Sequence, residues 1–133
     1  GRVPLDGASG DYEWTGWIPF DEEPEAVDPA QGFLASSNQP PVDPGYPYYL
    51  GWSWDPGYRA RRIDEMLAGD DHVTFEDIRA MQLDDLDVFA RETVPFIVQA
   101  VTGNCTVPAC EAALSAIATW DFHMDKDASA PAI

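Results

Sequence analysis

The fold is decided around Trp54–Ile63, which reads Trp-Asp-Pro-Gly-Tyr-Arg-Ala-Arg-Arg-Ile. On the carboxyl side of this stretch, apolar residues recur at helical spacing until Gly69 interrupts the pattern. Asp55 and Pro56 are typical of an N-cap and a first helical turn. The sequence therefore predicts that a mainly helical half begins at Asp55.

Three further helices are predicted in this second half. Thr74–Asp77 resembles a capping box with Asp in place of Glu. Residues 86–101 carry apolar side chains at helical spacing, and Pro95 among them should kink or divide the helix. Pro108 is expected to open a last helix that ends near Trp120.

The first half, residues 1–54, holds eight of the twelve prolines and four of the five tryptophans. Long helices cannot form at that proline density, so we expect short strands and loops. The candidate strands are Gly32–Ser37, Tyr12–Trp14 and Trp17–Ile18. The predicted fold class is α+β, with residues 1–133 forming one segment: strands and loops in 1–54, then helices in 55–133.

The charge of the chain excludes two classes of partner. Asp and Glu number 24 against 7 Lys and Arg, a formal charge of −17. Such a chain repels nucleic-acid phosphates and anionic membrane surfaces. No apolar run approaches the roughly 20 residues that a membrane-spanning helix needs. We expect neither nucleic acid nor a membrane as partner.

Two cysteines, Cys105 and Cys110, are separated by four residues. They are read either as a small-loop disulfide, which would indicate an oxidising compartment, or as two reduced thiols. Gly103 and Pro108 mark a turn there, which favours the disulfide because the two Cα atoms can approach closely.

No metal site is predicted. His72 and His123 lie far apart along the chain, and neither is at ligand spacing from the cysteines. The neighbouring acidic residues Asp84, Asp85 and Asp87 are typical of a solvated first helical turn.

Two positions are candidates for chemistry, although the chain shows no nucleophile–base pair. Asn38 ends the predicted strand Gly32–Ser37, where an amide can donate an N–H to a developing oxyanion; the alternative is a turn cap. Arg59 begins the only basic cluster, and its alternative is surface pairing with Asp64 and Glu65.

Short motifs recur in order along nearly the whole chain: Tyr12-x-Trp14-x-Gly16-x-Ile18-Pro19-Phe20, Pro24, Pro29-x-x-Gly32-Phe33-x-Ala35-x-x-Asn38-x-x-Pro41, Trp54, Tyr58-Arg59-x-Arg61-Arg62-Ile63, Thr74, Met81-Gln82-x-Asp84 and Trp120-Asp121-x-x-Met124. Together they resemble the penicillin acylase (penicillin amidase) family of N-terminal nucleophile hydrolases, and specifically a segment of its large subunit.

The resemblance implies a mechanism and a fold. In that family a serine, freed at the large-subunit N-terminus by autocatalytic cleavage, attacks an amide with its own α-amino group as base. Asn38 matches the oxyanion-hole asparagine and Arg59 the arginine that orders the site. The implied architecture is an αββα sandwich, with Phe33–Ser37 as one strand and the later helices as an excursion from it.

The resemblance also implies a longer, secreted parent, periplasmic or extracellular, that hydrolyses penicillins, N-acyl amino compounds or acyl-homoserine lactones in antibiotic metabolism. Its partners are an acylated small-molecule amide and the rest of its precursor: the small subunit and the nucleophile-bearing part of the large one. The chain opens at Gly1 without a methionine, which indicates a processed end, a tag or a cut from a precursor. Because the nucleophile lies upstream, the segment alone is expected to be inactive.

Two alternatives stay open. Some family members bind calcium through an Asp that lies between the Asn and Arg motifs. Tyr48 stands near the matching position in this chain. No cofactor is therefore assigned, and calcium in the parent is left open. The second alternative is a non-catalytic acidic helical module on the same scaffold. It would use Trp14, Trp17, Trp52 and Trp54 as its contact surface.

Overall fold

Four α-helices follow Asp55 within residues 3–69 and 72–133, the ranges that this computed structural model describes. They are α1 (Tyr58–Leu67), α2 (Phe75–Gln82), α3 (Val88–Val101) and α4 (Pro108–Ala118), with 3-10 turns at Phe20–Glu22 and Ala130–Ala132. The prediction of a mainly helical second half is confirmed. Gly1, on which the processed-end expectation rested, lies outside the described residues.

Helix α1 begins two residues later than predicted. Its N-cap is Gly57, whose φ of 90° is left-handed and therefore breaks the helix that Asp55 and Pro56 were expected to start. The Asp55 carboxylate instead accepts the Gly57 N–H at 3.0 Å. Asp55 thus lies outside the helix, in the loop that precedes the first turn of α1.

Local capping explains the starts of α2 and α3. Thr74 Oγ1 accepts the Asp77 N–H at 3.3 Å, and Asp77 Oδ2 accepts the Thr74 N–H at 2.8 Å, which confirms the capping box. Asp87 caps α3 by accepting the Ala90 N–H at 2.9 Å. Pro95 lies inside α3, which continues through it, so of the two predicted effects, a kink or a division, the division is wrong.

The predicted strands at Gly32–Ser37, Tyr12–Trp14 and Trp17–Ile18 are not formed in the described part of the chain. A strand is defined by the neighbour with which it exchanges hydrogen bonds, and none of these stretches has one here. The β pairing that does occur is an isolated antiparallel bridge between Leu86 and His123.

The buried core lies between α1 and α3. Its apolar members are Ala60, Val88, Ala90 and Val94. The Tyr58 and Phe89 rings meet edge to face at its rim, with centroids 5.2 Å apart. This core is small, because most large apolar side chains of the first half that the structure describes are exposed.

Candidate active site

The structure brings Asn38 and Arg59 into contact, although 21 residues separate them in sequence. Arg59 Nη2 donates to Asn38 Oδ1 at 3.0 Å and to the Ser37 carbonyl oxygen at 3.1 Å. The first turn of α1 therefore touches the end of the Gly32–Ser37 segment. The two residues that sequence reasoning singled out form one cluster.

The contact fixes which way the Asn38 amide points. A guanidinium has only donors, so it must face the carboxamide oxygen and not the nitrogen. Asn38 Nδ2 is then directed away from Arg59, and it makes no hydrogen bond within residues 3–69 and 72–133. An oriented N–H donor without an internal acceptor is suited to bind an external oxygen.

The backbone of Asn38 is also held in place. Its φ of 63° lies in the left-handed region, which Asn tolerates better than most residues. The Asn38 carbonyl oxygen accepts the Asp55 N–H at 2.8 Å. On the other side, the Gln39 side chain accepts the Ser37 N–H at 2.6 Å and donates to the Ala35 carbonyl at 3.1 Å. In the turn-cap alternative the Asn38 side chain would bond the turn backbone; here the Gln39 side chain does so.

Asp55 completes the cluster, and sequence reasoning missed this role. Its Oδ2 atom accepts from Arg59 Nη2 at 3.0 Å and from Arg59 Nε at 3.2 Å. Hydrogen bonds from the Gly57 N–H first, and from Arg59 second, hold the pKa of the Asp55 carboxyl below its usual range. The available signal was the spacing, since Asp four residues before Arg is a pairing distance.

Ion pairs anchor the helix that carries Arg59. Arg62 binds Asp84 through Nε at 2.8 Å and Nη2 at 2.6 Å, and both side chains are largely buried. Arg61 binds Glu92 of α3 at 2.5 and 3.0 Å. Asp84 is therefore a partner of α1 rather than the solvated residue we predicted. Of the surface pairings proposed as the alternative, the contact of Arg62 with Glu65, at 3.3 Å, is present.

A cavity of about 720 Å³ opens between α1, α2 and the segment before α3. Ser37 and Arg59 stand on its wall, and the methionines Met66, Met81 and Met124 line it. Apolar surface thus continues directly from the polar cluster.

The described residues around Tyr48 do not offer a calcium site. The Tyr48 hydroxyl donates to Glu22 Oε2 at 2.5 Å, and the Tyr46 hydroxyl donates to the Glu22 carbonyl at 2.8 Å. The hydrogen bond to Glu22 raises the pKa of Tyr48, so the phenol stays protonated. No group of three or more His, Cys, Asp or Glu side chains converges among the described residues.

Cys105 and Cys110 form a disulfide, with Cα atoms 5.5 Å apart. It ties the α3–α4 loop to the first turn of α4. Across the described ranges, no helix is both long and apolar enough to cross a membrane.

Comparison with known proteins shows that the chain is similar to acylases. The sequence profile of the family described as penicillin amidase matches residues 1–133. The penicillin acylase 2 proenzyme of Pseudomonas sp. (strain SE83) is 33% identical over 98% of this chain and 16% of its own length. An acyl-homoserine lactone acylase, QuiP of Pseudomonas syringae pv. syringae (strain B728a), is 38% identical over 68% of this chain and 11% of its own.

A more distant relative is the penicillin G acylase of Escherichia coli, 25% identical over 90% of this chain and 14% of its own length. The chain thus spans about a sixth or less of the curated relatives that it matches. No solved structure matches it at a significant level.

Proposed function

This chain belongs to the penicillin amidase family, and we propose that it is a large-subunit segment of an amidohydrolase that cleaves N-acyl amides through a serine acyl-enzyme. The observation that carries the proposal is the oriented Asn38 amide. Arg59 holds its oxygen at 3.0 Å, which leaves Nδ2 as the donor. In the proposed parent, the nucleophilic serine and its α-amino base lie upstream of this chain, and the αββα sandwich is completed by the rest of the protein.

The proposed step is an acyl transfer. The serine Oγ bonds to the carbonyl carbon, the C=O π electrons move to oxygen, and the serine proton passes to the α-amino group. Asn38 Nδ2–H then donates to the oxyanion. When the C–N bond breaks, the α-amino group returns the proton to the leaving amine. Water next hydrolyses the ester and releases the carboxylic acid.

The proposed substrates are penicillins, N-acyl amino compounds or acyl-homoserine lactones. The names of the relatives support this range, since they include two penicillin acylases and an acyl-homoserine lactone acylase. The cavity beside Arg59 is lined by both apolar and charged side chains, and it favours none of the three.

The proposed partner is the remainder of its own precursor, and the proposed location is the periplasm or the exterior of the cell. One relative is named a proenzyme, which supports a processed parent. The Cys105–Cys110 disulfide supports an oxidising compartment.

The test uses the full-length protein that carries this chain, assayed on a phenylacetyl anilide and on an acyl-homoserine lactone. Asn38→Gly removes the amide but keeps a residue suited to the left-handed φ of 63°. We expect kcat to fall about 10²–10³-fold with KM little changed. Asn38→Asp keeps the backbone too and should fall as far, because it sets an anion beside the oxyanion.

The matched control is Asn104→Gly, since the Asn104 amide donates only to the nearby Ala100 carbonyl. It should leave kcat unchanged. Near-normal kcat in Asn38→Asp, in a correctly processed enzyme, would refute the site.

One observation favours the non-catalytic module as a second candidate. Trp14 and Trp17 stack with ring centroids 6.0 Å apart while 86% and 89% exposed, and exposed aromatic pairs are common at interfaces. A module should be a soluble monomer that melts cooperatively when these 133 residues are expressed alone. A segment of an enzyme should instead dimerise or aggregate, which light scattering measures.

A further inference from the structure

Asp55 is linked to Asn38 in two ways, one direct and one through Arg59. Its backbone N–H donates to the Asn38 carbonyl at 2.8 Å, and its carboxylate binds Arg59, which in turn donates to Asn38 Oδ1. The three residues therefore form a closed ring of hydrogen bonds. Both the main chain and the side chain of Asn38 are fixed by a ring that includes Asp55.

Arg59 needs such a partner to have a defined direction. Its side chain is 59% exposed, and an exposed arginine samples many rotamers unless it is bound. The Asp55 side chain is only 21% exposed, and the Gly57 N–H fixes its other oxygen at 3.0 Å. Two donors, Nε and Nη2, meet the same Asp55 oxygen, which sets the plane of the guanidinium.

We propose that Asp55 is a positioning residue for amide hydrolysis: it holds the Arg59 guanidinium in the plane that directs Asn38 Nδ2 toward the oxyanion. The inference rests on the proposed function. Asp55 acts through Arg59 and has no contact with substrate. Its carboxyl is ionised at neutral pH, since its neighbours keep the pKa low.

The test variant is Asp55→Asn in the full-length protein. It keeps the size of the side chain and an oxygen for the Gly57 N–H, but it removes the charge that binds Arg59. We expect kcat to fall on the order of tenfold to a hundredfold with KM little changed, since small misplacement of a catalytic group has costs of that size. The control is Asp125→Asn, because Asp125 accepts a similar N–H, from Asp127 at 2.8 Å, without an arginine partner.

A double-variant cycle separates positioning from general stability. If Asp55 acts only through the Asn38 amide, Asp55→Asn should cost nothing further in an Asn38→Gly background. Multiplied losses, or normal kcat in Asp55→Asn alone, would overturn the proposal. If Asp55→Asn fails to fold or mature, Asp55→Glu takes its place in the cycle. Asp55→Glu keeps the charge but displaces the carboxylate, so it should lower kcat measurably, by less than tenfold. In the Asn38→Gly background it should lower kcat no further.

A readout without activity separates this proposal from the function on which it rests. In the spectrum of the full-length protein labelled with ¹⁵N at its asparagine side chains, the Asn38 side-chain amide signals should shift or broaden in Asp55→Asn and stay unchanged in Asp125→Asn. Unchanged Asn38 signals in both variants would overturn the positioning role. A wild-type protein that hydrolyses no N-acyl amide would overturn the proposed function, whatever these signals show.

Discussion

At the residue scale, the site depends on the geometry of single hydrogen-bonding groups. Arg59 donates hydrogen bonds to Asp55, Ser37 and Asn38 through two of its nitrogens, Nε and Nη2. A planar guanidinium can hold several acceptors in fixed directions, whereas an ammonium is a point charge on a flexible stem. Charge alone therefore does not preserve this contact.

We accordingly predict that Arg59→Lys lowers kcat of the full-length enzyme by about tenfold or more, despite the conserved charge. The matched control is Arg79→Lys, because Arg79 forms only an exposed pair with Glu76. Steady-state kinetics on the anilide substrate measure both variants. Equal activity of Arg59→Lys and Arg79→Lys would mean that a positive charge suffices at position 59.

Sequence reasoning identified the two candidate site residues, but it missed the third. Asn38 and Arg59 were identified because they match a family motif, and the structure places them in contact. Asp55 was interpreted as a helix cap because Asp-Pro is a common helix start. The left-handed backbone of Gly57 starts the helix after Asp55, which leaves the Asp55 carboxylate available to Arg59.

At the scale of elements, helix α1 carries Arg59 and so positions the candidate site. Ion pairs hold α1 against its neighbours, in addition to its small apolar core. Glu65 of α1 pairs with Arg91 of α3, and Arg62 pairs with Asp84 before α3. The Arg62–Asp84 pair is the more buried of the two, so it should contribute more to stability.

We predict that Asp84→Asn lowers the free energy of unfolding at pH 7 by about 1–3 kcal/mol, the usual cost of losing a charged hydrogen bond. The hydrogen bonds from Arg62 lower the pKa of Asp84 in the folded state. The stabilisation is therefore present above the unfolded pKa of about 3.9 and is lost as pH falls through the folded value. Urea unfolding of the full-length protein should show a larger difference between variant and wild type at pH 7 than at pH 2; an equal difference at both pH values would contradict this.

A second element-scale contact responds to pH in the opposite direction. His123 Nδ1 lies 2.5 Å from Asp85 Oδ1, and the Asp87 N–H donates to the Phe122 carbonyl at 2.8 Å beside it. The hydrogen bond with Asp85 raises the pKa of His123, and the charges of Asp121 and Asp84 act in the same direction. This contact joins the segment after α4 to the start of α3.

We predict that this contact stabilises the fold fully below about pH 6.5 and is lost as pH rises through the folded pKa of His123. A ¹H NMR titration of the imidazole measures that pKa directly. Asp85→Asn should lower it, while Asp43→Asn, at an aspartate away from the imidazole, should not. Identical titration of His123 in Asp85→Asn and wild type would contradict the assignment.

Helices were predictable at this scale and strands were not, for a physical reason. The capping box at Thr74–Asp77 and the spacing of α3 are local, so the sequence of each element contains them. A strand such as Gly32–Ser37 needs hydrogen-bond partners from elsewhere, and the described residues supply none. Pro95 does not divide α3, although a proline inside a helix lacks the N–H for one helical hydrogen bond.

At the scale of the whole molecule, the chain exposes more large apolar surface than a stable monomer usually does. Trp14, Trp17 and Phe20 are each more than four-fifths exposed, and the buried apolar side chains are few and small. A matching surface on the rest of a longer protein would explain this excess.

We predict that the isolated chain hydrolyses no amide, because the proposed nucleophile and its base lie upstream of it. The measurement is release of the chromophore from a phenylacetyl anilide by the purified 133-residue chain. Co-expression with the upstream part of the parent should restore turnover. Activity of the chain alone, unchanged by Asn38→Gly, would show that the nucleophile has been misassigned.

The small core between α1 and α3 also implies that local stability differs between these helices and the loop that carries Asn38. Ala60, Val88, Ala90 and Val94 protect these two helices, so their amide protons should exchange with deuterium slowest. The loop that carries Asn38 lacks such a core and should open without unfolding α1. The Asp55 amide proton, bonded to the Asn38 carbonyl at 2.8 Å, reports that opening. Its exchange rate, compared with that of the α1 amides, measures how much of the time Asn38, the proposed oxyanion donor, is in place.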